Sequence, residues 1–272
     1  MSSPTNLPEH TKEFLVACAQ GNFDLVKKHA PFVENNFIDQ GLCVAATTEK
    51  IDIVKYLLSH HPVPKDTNAL ACAIEVGCSE IVKYLLPFTD PSLGESEALR
   101  IASQKGHVDI VKSLLPYSAA KSRQSEALAL AASGGYLDVV KLLSPHSAPK
   151  AADSRALTYA ATNGRLECVK YLLPLSDPKA NESIALACAA MGGCLDVVKC
   201  LLPHSDPKGC KSRALRMASR EDHDSVMDFL WDVSDPGVAL QTMKENGNSP
   251  ADYSRLEARF LAEESKKNLT KK

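Results

Sequence analysis

Apolar residues fall along the chain in short stripes of helical period. In the stretch from 183 to 211, Leu186, Ala189 and Ala190 lie at i, i+3 and i+4, the spacing of one face of an α-helix. Leu195, Val198, Leu201 and Leu202 form a second stripe of the same period. Gly193 stands between them, where a helix can end in the left-handed conformation that glycine tolerates. Pro203 closes the second stripe, because proline has no amide hydrogen to continue a helix. The Ser-Asp-Pro-Lys segment at 205–208 then reads as a turn. The pattern predicts two short helices separated by a glycine and followed by a reversal of the chain.

That pair of helices is repeated. Ala-Leu recurs at 69–70, 98–99, 127–128, 156–157, 185–186 and 214–215, a constant interval of 29. Gly77, Gly106, Gly135, Gly164 and Gly193 keep the same interval, as do Pro87, Pro116, Pro145, Pro174 and Pro203. Val-Lys pairs follow at 82–83, 111–112, 140–141, 169–170 and 198–199, with earlier copies at 26–27 and 54–55. Thr11, Asp39, Thr67, Ser96, Ser125, Ser154, Ser183 and Ser212 precede the first stripe of each copy; all are good N-cap residues, and each is expected to cap its own helix. Helices of about nine residues are marginal alone in water. Each pair must therefore bury its stripes on the neighbouring pair, as in a solenoid.

The unit A-L-x-x-A-A-x-x-G-x-L-D-V-V-K-x-L-L resembles the ankyrin repeat, with its T-P-L-H-x-A-A-x-x-G-H-x-x-V-V-x-L-L core. His107 restores the family's Gly-His pair, and Asn246-Gly247-Asn248-Ser249-Pro250 looks like the opening of a further repeat. The resemblance spans about residues 11–262 and implies an all-α, ankyrin-like α-solenoid of about eight stacked helix-turn-helix repeats plus a C-terminal capping helix. The family period is ~33 residues, whereas here it is 29. The shortfall falls in the connections, so short loops are expected instead of β-fingers, residues 237–249 being the one possible exception. Other paired-helix repeats are longer, and the leucine-rich signature is absent. The closing helix is expected at 249–265, with Leu256, Phe260 and Leu261 on one face. Residues 1–10, with Pro4 and Pro8, are expected to be disordered, and 263–272 to form a polar, basic, mobile tail.

Composition narrows the function. Lys and Arg number 31 against 33 Asp and Glu, a formal charge of −2, which argues against nucleic acid as the main partner. No apolar run is long enough to span a membrane, and no cleaved signal peptide is expected from the first residues. The nine cysteines contain no C-x-x-C pair and no short metal-ligand spacing. They are expected to be reduced, mostly buried thiols, which points to a cytoplasmic location. Cys168 occupies the core position of Ile110, Val139 and Val197; Cys194 follows a cap glycine and should be more exposed. Phosphate-binding loops and H-E-x-x-H are absent. His146 and His204 share a loop position, and His60-His61 is an isolated pair. No catalytic residue, cofactor or metal is expected.

The acidic residues Asp109, Asp138, Glu167 and Asp196 each precede a Val-Lys lysine by three, which reads as a solvated outer face. The informative contrast is that the Leu, Ala and Val frame barely changes, while the two residues before the cap glycine change in every copy. They include Gln104-Lys105, Thr162-Asn163, Met191-Gly192 and Arg220-Glu221. The position after the frame Leu also varies, from Arg100 to Thr158 to Arg216. The resemblance implies that such positions line a concave, partner-contacting face. Gln104, Lys105, Thr162, Asn163, Arg216 and Arg220 are the expected polar contacts, and Tyr159 and Met191 the apolar anchors; Tyr159 also fits the core, at the position of Ile101 and Leu130. The expected function is a monomeric, non-enzymatic scaffold that binds another protein. The alternative is an effector of an intracellular bacterium or a virus that engages a protein in the host-cell cytosol, since the tail LAEESKKNLTKK is compatible with an uncleaved export signal. An enzyme built on the repeat frame is the remaining alternative.

Overall fold

The computed structural model describes residues 7–62, 64–117 and 125–270. Every regular element among them is helical, and the repeats with Gly77, Gly106, Gly135, Gly164 and Gly193 are helix pairs broken at the predicted glycine. The chain forms two compact units, Met1–Arg123 and Gln124–Lys272. The first contains α1 (Glu9–Gln20), α2 (Phe23–His29), α3 (Asn35–Thr47), α4 (Ile51–His60), α5 (Ala69–Val76), α6 (Ser79–Leu85), α7 (Leu93–Lys105) and α8 (Val108–Leu114). The second contains α9 (Glu126–Gly134), α10 (Leu137–Leu143), α11 (Ala151–Thr162), α12 (Leu166–Leu172), α13 (Ala180–Met191), α14 (Leu195–Leu201), α15 (Gly209–Arg220), α16 (Asp224–Leu230), α17 (Pro236–Glu245) and α18 (Pro250–Thr270). Within each unit the odd-numbered, inner helices pack on one another, and the even-numbered, outer helices form a second row beside them. Each Leu-Pro-x or Ser-Pro-x segment after an outer helix adds one 3₁₀ turn, with proline at its start.

The repeated frame is the core. Leu128, Leu157, Leu186 and Leu215 are fully buried, as are Ala131, Ala132, Ala160, Ala161, Ala189 and Ala190. The small alanines let successive inner helices approach closely. Each buried leucine contributes ~1.5–3 kcal/mol relative to exposure. The outer helices differ slightly from expectation. Val197, Val198 and Leu201 are buried, while Leu195 and Leu202 at the two ends of the stripe are half-buried. Cys168 is buried at the valine position, as its register implied.

The expected N-caps do something else. Ser125, Ser154, Ser183 and Ser212 sit in the left-handed region, with φ from 57° to 64°. An N-cap that serves its own helix has an extended backbone, so these hydroxyls point away from their own amides. Each accepts a hydrogen bond from the loop of the following repeat, 23 residues on. The donors are the amides of Ala148 (2.7 Å), Asp177 (2.8 Å), Asp206 (2.8 Å) and Asp235 (2.9 Å). Asn181–Ser183 and Cys210–Ser212 form full left-handed turns before the right-handed helix begins. Such residues cost ~1–2 kcal/mol each, so the bond from the next repeat is part of what holds them. In the first unit, Thr67 does accept from the amide of Ala69 (3.2 Å) and also donates to Asp39 of the preceding repeat. Thr11 and Asp39 lie inside α1 and α3, and the side chain of Ser96 lies outside the described residues.

A second tie crosses the cap glycines. Over five cap glycines lies the side chain one place past the matching break of the next repeat: Lys50 over Gly21, His107 over Gly77, Arg165 over Gly135, Cys194 over Gly164 and His223 over Gly193. His223 approaches Met191 O with Nε2 at 3.0 Å, and Arg165 donates from Nε to Ser133 O at 3.2 Å. These carbonyls end inner helices and lack partners within them. Gly193 has φ 66°, and a Cβ there would stand 2.7 Å from the His223 ring. Only glycine meets both demands. Glu49 (φ 60°) and Asp222 (φ 58°) hold the same left-handed place without being glycine.

The ends depart from expectation in three places. No finger forms at 237–249: α17 fills most of it, and its N-cap Asp235 accepts from the amide of Val238 (3.1 Å). Helix α18 runs past 265 to Thr270, so the tail described to that point is helical. Leu256 of α18 is buried, Arg255 bonds Asp224 at 2.8 Å, and Arg259 pairs with Asp228 and lies 4.2 Å from the centre of the Trp231 ring. At the other end, residues 1–6 of the expected disordered segment lie outside the described residues, and Glu9 and His10 already belong to α1. The Ser183→Ala variant should lose about 1–3 kcal/mol of stability, because the Asp206 amide is left without its acceptor; a urea denaturation midpoint measures this. Glu49→Gly should raise that midpoint, by ~0.5–1 kcal/mol, as the left-handed strain is relieved at some cost in chain entropy.

Candidate partner-binding face

The residues that vary between repeats lie at the C-terminal ends of the inner helices, because the frame residues face the neighbouring helices. Gln104 and Lys105 belong to the first unit and are exposed. Lys105 Nζ lies 2.6 Å from Glu75 Oε2 in the preceding repeat. The other six expected contacts belong to the second unit. Tyr159 is 40% exposed, which places it on the surface instead of in the core position that its register also allowed. Asn163 is exposed and donates from Nδ2 to Tyr159 O (2.9 Å) and to Ser133 Oγ (3.1 Å). Thr162 is half-buried and donates to Thr158 O (2.8 Å). Met191 is half-buried, and Arg220 Nη2 donates toward its Sδ at 3.9 Å while also pairing with Glu221 at 2.9 Å. Thus Tyr159 and Asn163 form one group, and Met191, Arg220 and Glu221 another.

Arg216 is engaged by its own repeat. Its guanidinium donates to the carbonyls of Cys210 (3.0 Å) and Lys211 (3.2 Å), both in the left-handed turn before the helix. Burial is the main cause that pulls its pKa down, with Arg213 adding to it. A planar fork suits two backbone carbonyls in a way a single ammonium does not. The structure therefore gives Arg216 a turn-holding role, while Arg220 remains at the surface.

Pairs between consecutive repeats were not read from the sequence, although their signal was present. Lys105 meets Glu75, Asn163 meets Ser133, and Arg220 meets Met191, all at offsets of 29 or 30. Adding one period to each variable residue would have found them. The same arithmetic leads to Cys43 and Cys72 on α3 and α5, whose thiols hydrogen-bond each other. That bond draws the Cys72 pKa down to about 6, with help from Thr47. The Cys43 thiol is held protonated, first by the same bond and then by burial. All nine cysteines are free thiols, as expected, but only Cys18 and Cys168 are fully buried and the other seven are half-buried. Burial raises the Cys194 pKa.

A separate depression of about 610 Å³ lies on the outer helices of the first unit. Phe23, Tyr56 and Tyr84 line it, with Lys27 4.4 Å from the centre of the Phe23 ring. It is remote in register from the variable positions. Among the described residues, no helix is long and apolar enough to cross a membrane.

The comparison with protein families agrees with this geometry. The family described as ankyrin repeats (3 copies) matches residues 14–95, 99–182 and 157–242. The chain belongs to the ankyrin-repeat family. No curated protein matches it. The Arg216→Ala variant should lose about 1–3 kcal/mol in urea denaturation, because the half-buried Cys210 carbonyl and the exposed Lys211 carbonyl lose their donor. Arg216→Lys should restore less than half of that loss.

Proposed function

We propose that this chain is a non-enzymatic scaffold that binds another protein through the inner-helix face of its repeats, the face that forms the concave groove in the ankyrin family. The observation that carries this reading is the division of labour within each inner helix. Leu and Ala of the frame are buried in every copy, while the two residues before the cap glycine differ in every copy and reach solvent. Packing constrains the first set and leaves the second free. A recognition surface needs that freedom, and it also needs exposed anchors of large contact area. Tyr159 and the Met191–Arg220 pair supply them. Exposed ion pairs such as Lys105–Glu75 contribute little to folding, so their charges remain available to a partner. The near balance of positive and negative residues favours a protein over nucleic acid. A monomer in the cytoplasm is the corresponding state, or the host-cell cytosol if the chain is exported from an intracellular bacterium or a virus.

The test is comparative. Proteins captured by the full chain from cytosolic extract are identified by mass spectrometry, and the leading one is purified and titrated by calorimetry. Tyr159→Ala with Arg220→Glu should weaken its binding at least tenfold with unchanged helicity. Lys170→Ala with Lys199→Ala, on outer helices, should leave it within twofold. Undiminished affinity after the inner-face substitutions, or loss after the outer-face ones, overturns the assignment.

A further inference from the structure

The first helix pair carries a cluster that the repeat frame does not explain. His10 and Glu13 lie at i and i+3 near the start of α1, and His29 is the last residue of α2. One donor atom from each of the three lies within 4.8 Å of the others. His29 is only 2% exposed, and both of its ring nitrogens face a partner. Its Nε2 lies 3.2 Å from the Glu13 carboxylate, and its Nδ1 lies 3.1 Å from Nδ1 of His10.

The chemistry of the donors orders these contacts. A carboxylate only accepts, so His29 Nε2 carries the hydrogen and His29 Nδ1 presents a lone pair to His10. Two nitrogens on a tetrahedral zinc-class ion, at ~2.0–2.1 Å from it, stand about 3.3 Å apart. The observed separation is close to that. The carboxylate on the far nitrogen of a ligating imidazole is the arrangement that fixes its tautomer and strengthens its lone pair. Phe32 stacks on His10, with ring centres 5.2 Å apart, and gives the pair an apolar wall while remaining 70% exposed itself. Phe32 ends the 3₁₀ turn Ala30–Phe32, the slot that Phe88 and Tyr117 fill after later outer helices.

We propose that His10 and His29 ligate a divalent transition-metal ion of the zinc class, with Glu13 holding His29 in its ligating tautomer and water completing the coordination. On binding, the His10 Nδ1 proton leaves and Nε2, on the exposed ring, carries the hydrogen. The ion joins the start of α1 to the end of α2 and clips that helix pair.

Titration of the full chain with Zn²⁺ by calorimetry, and with Co²⁺ by visible absorption, tests this. One ion per chain is expected, with a melting temperature that rises on addition of Zn²⁺ and a Co²⁺ spectrum free of thiolate charge transfer. Glu13→Gln should weaken binding about 10–100-fold. His10→Ala, at an exposed position, should weaken it at least as much and abolish the thermal shift. The proposal is overturned by the absence of saturable binding, by equal binding in wild type and His10→Ala, or by a thiolate band that places the ion on the cysteines.

Discussion

Burial of the Ala-Leu frame of one inner helix against the next is the interaction on which the rest depends. Outer helices of seven residues, such as α12 and α14, have no stability of their own. They persist because Val169, Leu172, Val198 and Leu201 are packed against adjoining copies. Cohesion is thus a property of interfaces between repeats, and a defect at one interface is felt first by its two neighbours. The alanines at the interface are as important as the leucines, since a larger side chain would separate the helices and open voids around the frame.

Two hydrogen-bonded ties supplement this packing, and both run from one repeat to the next. The serine hydroxyl before an inner helix receives an amide from the following loop, as at Ser183 and Asp206. The residue after the left-handed break returns to a helix-terminal carbonyl of the preceding repeat, as at His223 and Met191. Apolar contacts between helices are non-directional, whereas these bonds specify the loop position and the register of one copy on another. They also satisfy backbone groups that a short helix leaves open at its ends.

The face assigned to partner binding exists because the frame uses so few positions. With Leu and Ala committed to the interface, residues such as Asn163 and Arg220 are left at the helix end without a packing duty. Their contacts within the chain are side-chain bonds at the surface, which water and a partner can replace at small cost. Arg216 shows the limit of that rule. It occupies a variable position, yet it holds the turn of its own repeat through Cys210 and Lys211. Variation between copies therefore marks freedom from the frame, not freedom from every structural duty.

The helical repeat, its glycine break and its proline stop were legible in the chain itself, because those features are set by local rules: period, cap conformation and a missing amide. So was the burial of Cys168, which follows from its register with Val139 and Val197. What tertiary structure alone decided depends on the direction of side chains across repeats. Ser183 looked like a cap for its own helix, and only the left-handed backbone at that residue turned its hydroxyl to Asp206. Tyr159 could have gone inward or outward by register, and the structure leaves it 40% exposed. The meeting of His10, Glu13 and His29 likewise arises between elements. A one-dimensional pattern records which residues repeat; which atoms face each other is fixed by how the copies pack.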